Sequence, residues 1–300
     1  MIIGAGIAGM TSAIYAARKR MNFLIISANV GGQFLESGEV LNYPGLIKTT
    51  GAEFESIMEK QLKFNSINPR IGSVKKIEKS KNGYNLITDQ GEFEAKSVIV
   101  ATGARAKKLG IPGEEKYKNK GVYYCTICDG PLYKDKAVAV IGGGNSALEA
   151  ADFMLNIAKK IYVINIMPKP VAHEYLQERI ANNPKVELIN NASTTGILGN
   201  GKMVKGLKYR KIDSKMKEYE IDADAVFIQA GRVPNTDFAK GFLKIDKDNH
   251  IEIDCTTQTS KQGIFAAGDC ASGHEYQYII AAGQGCMALL KAARYVANTR

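Results

Sequence analysis

One local pattern occurs twice in this chain: an apolar strand, a glycine turn and a helix. "MIIGAGIAGMTSAIYAARKR" opens the sequence, and "AVAVIGGGNSALEAADFML" repeats the pattern from residue 137. A second short apolar strand comes after each copy, "NFLIIS" (22–27) and "KKIYVINI" (159–166). In such a unit the first glycine permits the tight turn. The second lets backbone N–H groups approach a pyrophosphate, and the third lets helix and strand pack closely. The helix N-terminus then faces negative phosphate. A lone G-x-G-x-x-G says little, but between a strand and a helix it is specific. Two copies predict an α/β fold with two Rossmann-like, three-layer nucleotide-binding domains. A chain of 300 residues has room for both.

The segments between fit that plan. Residues 73–104 alternate in polarity and are broken by "NG" and "QG", which are hairpin turn signals, and 203–231 reads as antiparallel too. "TGAEFESIMEKQLKFN" (50–65) predicts a helix, with glutamates early and lysines late. "VGGQFLESGEVLNYPG" (30–45) has the composition of a loop, and "YQYIIAAGQGCMALLKAARYVAN" that of a closing amphipathic helix.

The two glycine loops are not equals. Gly4, Gly6 and Gly9 form the complete motif; Gly142, Gly144 and Ala147 form the G-x-G-x-x-A variant. Neither is followed by the acidic residue that would bind a ribose about 20 positions on. Ser27 and Ala28 stand near that place in the first copy. In the second, "VINIMPKPVAH" offers neither acid nor arginine, only Lys169 and His173. A lysine lacks the bidentate fork of arginine and substitutes poorly for it on a 2′-phosphate. The second loop therefore signals a dinucleotide fold strongly and a dinucleotide ligand weakly.

Composition excludes several classes. No apolar run approaches the roughly 18 to 20 residues needed to span a bilayer, and no secretory signal pattern opens the chain. The first strand is short, and a few leading residues are expected to precede it. Five cysteines, an odd number, argue against a secreted disulfide framework and for a reducing, cytoplasmic setting. The net charge of +10 reads either as a solvated lysine-rich surface or as attraction to an acidic partner. The lysines are dispersed and no nucleic-acid-binding motif is present.

"YYCTICDGP" (123–131) carries the chemistry. A zinc site would need further ligands. Cys255, Cys270 and Cys286 are isolated and read as small buried residues. His173, His250 and His274 are not spaced as ligand pairs. A structural staple across two residues would constrain almost nothing. The pair Cys125–Cys128 reads best as a redox-active dithiol. Asp129 is then either an acid to the departing thiolate or a turn former before Gly-Pro.

Taken in order, "GAGIAG", "GGQ", "LNYPG", "VIVATGA", "CTICDGP", "IGGGNSALEAA", "VPNT", "GIFAAGDC" and "AAGQGCMA" resemble the low-molecular-weight FAD-dependent thioredoxin reductases over essentially the whole chain. The resemblance implies a homodimeric flavoprotein with an FAD domain in two segments, 1–107 and 233–300. A pyridine-nucleotide-type domain, 108–232, is inserted between them and carries the cysteine pair. It implies that Gly4, Gly6 and Gly9 hold the FAD pyrophosphate and that Gly32 and Gln33 lie along the cofactor. Asn42 would be near the flavin ring, with Thr102 and Gly103 in the binding shell. Asp269 would bond the ribityl or phosphate side, and Gln277 the isoalloxazine edge. Cys128 would be the thiol nearer the flavin, Cys125 the interchange thiol that meets a thioredoxin or thioredoxin-like protein, and Asp129 the acid. Linkers near "KKLGIPG" and "AGRVPNT" would serve as hinges for domain rotation.

The chain departs from that family twice. The His-Arg-Arg run and further arginine that bind the nucleotide phosphate are replaced by Asn165, Ile166, Met167 and Pro168, with Val171 at the last arginine position. The sequence in this respect resembles the ferredoxin-dependent variants. An acidic ferredoxin is thus the expected donor, ahead of NADH or a deazaflavin, then NADPH. Near the flavin, Tyr276 stands where arginine is common and Tyr278 where a small residue is common; both a change at the flavin face and simple packing are open. A flavin dithiol oxidase and a non-enzymatic redox sensor are the other classes compatible with the motifs.

Overall fold

The computed structural model describes residues 1–36, 39–212, 217–273 and 275–299; His274 lies outside them. The chain divides into two compact units, one of Met1–Arg105 with Val233–Arg300 and the other of Ala106–Arg232.

The first unit is built on a five-stranded sheet in the order Ile264–Ala266, Val98–Val100, Ile2–Ala5, Ile25–Val30, Arg70–Ile71. All its pairings are parallel, with Ile2 opposite Ile25 on one side and Ile99 on the other. Ile2–Ala5 is buried along its whole length, as a central strand covered on both faces should be. The helix Ile7–Arg18 packs on one face beside the long closing helix Tyr278–Asn298. Their approach is close because Gly285 has no side chain, and a Cβ there would overlap the Ala8 carbonyl. Ser12 Oγ, buried between them, donates to the carbonyls of Ala8 at 3.0 Å and Gly285 at 2.8 Å. The expected helix after residue 50 is Gly51–Phe64, started by a capping box of Thr50 and Glu53. The predicted hairpins are the antiparallel strands Val74–Ser80, Gly83–Thr88 and Gly91–Ala95.

The second unit repeats the plan. Its parallel sheet runs Val122–Tyr123, Ala225–Ile228, Ala137–Ile141, Lys160–Ile164, Val186–Ile189. An antiparallel sheet of Ala192–Gly199, Val204–Lys211 and Glu218–Asp222 covers one face. The helices Asn145–Met154 and Glu174–Ala181 supply the other, around a core that includes Leu148, Met154, Ile161 and Phe227. In the first unit, the strand expected at 22–27 is Ile25–Val30, displaced toward its own carboxyl end. Among the described residues, no helix is long and apolar enough to cross a membrane.

Candidate active site

At the carboxyl ends of the first sheet's strands lies a cleft of about 230 Å³. Gly4 turns into it at φ +105°, a conformation that favours glycine. A Cβ on Gly9 would overlap the Gly4 carbonyl, so this glycine serves helix–strand packing, behind the cleft wall. A Cβ on Gly6 would meet nothing within 4 Å; the loop leaves open space there, beside the first residues of the helix, Ile7 and Ala8. Gly32, Gln33, Thr102, Gly103 and Asp269 line the same cleft. Gln33 Nε2 donates to Asp269 Oδ2 at 2.8 Å and to the Ala104 carbonyl at 3.2 Å, which fixes this carboxylate in the cleft wall. Asn42 and Gln277 are not in the lining, but they are brought together: Asn42 Nδ2 donates to Gln277 Oε1 at 3.2 Å.

Ser27 and Tyr278, singled out in the sequence, line the cleft, and so do residues that the motif reading passed over, among them Asn29, Arg105 and Asn235. The signal for Asn235 was the "VPNT" string, whose purpose the sequence did not disclose. Asn235 Nδ2 donates to the Thr102 carbonyl at 2.9 Å and Thr102 Oγ1 returns a bond to the Asn235 carbonyl at 2.7 Å. Arg105 is then held by Asn235 Oδ1 and by Asp237. Tyr278 donates to the Gln33 carbonyl at 3.2 Å and packs its ring 5.0 Å from Phe34, so it both fills space and faces the cleft. Tyr276 lies within 2.7 Å of His250 Nε2, and His250 Nδ1 is 3.3 Å from Asp246.

In the second unit the corresponding glycine loop keeps its form. Gly142 has φ +141°, Gly144 faces open space, and Ala147 is fully buried where the first loop has Gly9. The strand beyond the helix ends differently. Asn165, at the place of Ser27 in the matching strand, is 1% exposed. Its side chain donates to Asn190 Oδ1 at 2.9 Å and the Met167 carbonyl at 3.1 Å, and accepts from Met167 N. Its Oδ1 fills the space beside Gly143 so closely that a Cβ there would overlap it. The chain then folds back on the loop: Val171 N donates to the Gly143 carbonyl at 2.8 Å, and His173 N to Asn145 Oδ1 at 2.8 Å. Ile166, Met167 and Val171, which stand in the sequence where the resembled family has arginines, are 58%, 48% and 69% exposed.

Cys125 and Cys128 are joined as a disulfide. Cys125 caps a single helical turn, Thr126–Asp129, that contains Cys128, and the Cys128 amide donates to Cys125 Sγ at 3.2 Å. Cys128 is exposed and Cys125 half-buried. Burial raises the Asp129 carboxyl above the ordinary aspartate value. Beneath the turn, Tyr123 and Tyr133 pack against Phe227, and their hydroxyls meet at 3.1 Å. Of the other cysteines Cys270 is buried, as expected, and Cys286 half-buried. Cys255 is exposed, against expectation: Asp254 caps its turn by accepting from the Thr256 and Gln258 amides, which leaves residue 255 outside.

A model of the pyridine nucleotide-disulphide oxidoreductases matches residues 1–291. The chain belongs to that family. Members bind FAD, and the cleft fits it: a glycine loop open at Gly6, a helix N-terminus facing the space, and the fixed carboxylate of Asp269. The chain thus carries the FAD cleft and the disulfide of a flavin disulfide oxidoreductase, and solved thioredoxin reductases share its fold. It is 33% identical to Lactococcus lactis thioredoxin reductase, with a TM-score of 0.93 over 99% of this chain and 98% of that one. A ferredoxin-flavin thioredoxin reductase from Clostridium acetobutylicum aligns at 33% identity over 99% of this chain and 96% of that one, with a TM-score of 0.54. Among curated relatives, an NADH dehydrogenase of Ferdinandcohnia aciditolerans is 40% identical over 99% of this chain. An alkyl hydroperoxide reductase component of Escherichia coli is 36% identical over 100% of this chain. The chain spans 57% and 58% of the length of those two proteins.

Proposed function

We propose that this oxidoreductase reduces the disulfide of thioredoxin, or of a thioredoxin-like protein, and that it draws electrons from an acidic ferredoxin rather than from NADPH. The observation that carries the donor assignment is Asn165. Its buried side chain bonds inward to Asn190 and Met167, where a nucleotide-binding chain would present a ribose acceptor. The apolar exposed Ile166, Met167 and Val171 offer no partner to a 2′-phosphate. A net charge of +10 favours encounter with an acidic protein.

In this reading Gly4, Gly6, Gly9, Gly32, Gln33, Thr102, Gly103 and Asp269 hold FAD, with Asn42 and Gln277 at its ring end. When bound, FAD supplies the two-electron reductant for the Cys125–Cys128 disulfide. Cys128 takes those electrons, and Cys125 is left as the thiolate that the Cys128 amide stabilises. Cys125 then attacks the partner disulfide, and Cys128 resolves the mixed disulfide. Asp129, protonated to higher pH than an exposed aspartate, supplies the proton to the departing sulfur.

The test is anaerobic stopped-flow of the oxidised holoprotein. Reduced ferredoxin should bleach the flavin fast and NADPH slowly; fast bleaching by NADPH overturns the donor assignment. A second reading comes from the curated relatives: a module that takes electrons from NADH and passes them toward a peroxidase. NADH bleaching at the ferredoxin rate would favour it.

A further inference from the structure

Tyr124, immediately before the first redox cysteine, is held at both ends. Its hydroxyl donates to Glu114 Oε1 at 2.6 Å, and its carbonyl accepts from Gln229 Nε2 at 3.0 Å. Gln229 Nε2 also reaches Thr126 Oγ1 at 3.4 Å, on the other side of Cys125, and Thr126 is buried. Gln229 is itself anchored, since its amide donates to the Ile141 carbonyl at the end of the central strand.

Glu114 is the less expected member. It is 3% exposed, and among the described residues no cation pairs with it. Its carboxylate instead accepts from the backbone amides of Leu109 at 3.1 Å, Gly110 at 2.7 Å and Ile111 at 3.4 Å, besides the Tyr124 hydroxyl. Donors on both oxygens leave no acceptor unmet, which is the condition for burying a carboxylate without a counter-ion. Three of those donors belong to the segment by which the chain enters the second unit. The fourth is the hydroxyl of Tyr124, which leads into the redox turn. Burial and the Glu114 contact both raise the Tyr124 hydroxyl, so it remains a donor across the working pH range.

We propose that Tyr124, gripped by Glu114 and Gln229, is a positioning residue for thiol–disulfide exchange: it holds the Cys125 backbone in place while the sulfur–sulfur bond opens and closes, and ties that backbone to the entry segment Leu109–Ile111. The proposal rests on Cys125–Cys128 being the exchanging pair. A bound pair of sulfurs is already constrained by its own bond, whereas a dithiol is constrained only from outside. Releasing the outside grip therefore frees the dithiol more than the disulfide and shifts the balance toward the reduced form.

The experiment equilibrates the oxidised holoprotein anaerobically with dithiothreitol redox buffers, without ferredoxin or thioredoxin. Each dithiothreitol gives up two electrons and two protons as it closes its own disulfide. The Cys125–Cys128 bond breaks and takes them up as two thiols. Thiols are then trapped with a maleimide and counted by mass on the peptide carrying both cysteines, with flavin absorbance followed in parallel. Tyr124→Phe keeps the ring and removes only the hydroxyl. It should move the equilibrium toward the dithiol by about tenfold, equivalent to about 30 mV. Gln229→Leu should move it in the same direction, and the double variant further. Variants that stay folded and equilibrate within twofold of the parent overturn the proposal. A wild-type pair that dithiothreitol leaves unreduced overturns instead the assignment of the exchanging pair.

Discussion

The two units of this oxidoreductase use one sheet plan for two purposes, and the difference is concentrated at two matching places. The first is the carboxyl end of the edge strand. In the first unit that strand is Ile264–Ala266, and the chain beyond it delivers Asp269 to the cofactor cleft. In the second unit it is Val122–Tyr123, and the chain beyond it delivers Cys125 and Cys128. The second place is the strand after the glycine helix. There Ser27 lines an open cleft, bonded to the Ala5 amide at 3.0 Å, while Asn165 turns inward and occupies the space beside Gly143. A shared fold thus positions a ligand in one unit and a reactive bond in the other, because side chains at strand ends, not the sheet, decide what is bound.

The largest effect expected from breaking this comparison is at the redox turn. Cys128→Ser should abolish thioredoxin-coupled turnover to background while leaving the flavin spectrum bound and intact; turnover at the parent rate would disprove the role of the pair. Asp129→Asn comes next, with a loss of about 100-fold as expected for a missing general acid. Burial raises this carboxyl, so the step it serves holds at low pH and declines as pH rises through the raised value. The variant should lose that decline, which a pH profile of single-turnover reduction would reveal.

Gly9→Ala should rank third. The new methyl meets the Gly4 carbonyl, and relieving that overlap costs about 1–3 kcal/mol. The measurable outcome is a protein purified with less flavin, read from the ratio of visible to ultraviolet absorbance. The matching position in the other unit already carries Ala147, and Ala147→Gly should cost only about 1 kcal/mol, without flavin loss. The smallest effect is a gain. Ile166→Arg with Val171→Arg should raise NADPH-driven bleaching by about tenfold, the value of one added charge-assisted contact. No gain would show that Asn165 and the returning segment close the site by themselves.

Much of the fold and of the site was legible in the sequence, and the reasons differ by residue. Both glycine loops could be read because their strand and helix context is local. The redox pair was likewise local, being two residues apart and followed by an acid. Asn235 was visible only as part of a string, since its partners Thr102 and Arg105 lie far away along the chain. Glu114 stands in a lysine-rich stretch beside a second glutamate, and only burial sets it apart from Glu115, which pairs with Lys108 at the surface. Cys255 misled for the converse reason: cysteines are commonly buried, yet a capped turn placed this one outside.

The second unit begins and ends at neighbouring points, for the Lys107 amide donates to the Gly231 carbonyl at 2.9 Å. A polypeptide whose ends meet can be cut out, transplanted or exchanged by a single splice, with no rethreading of the host. That geometry would let the disulfide-bearing unit be replaced as a cassette while the residues lining the FAD cleft stay as they are.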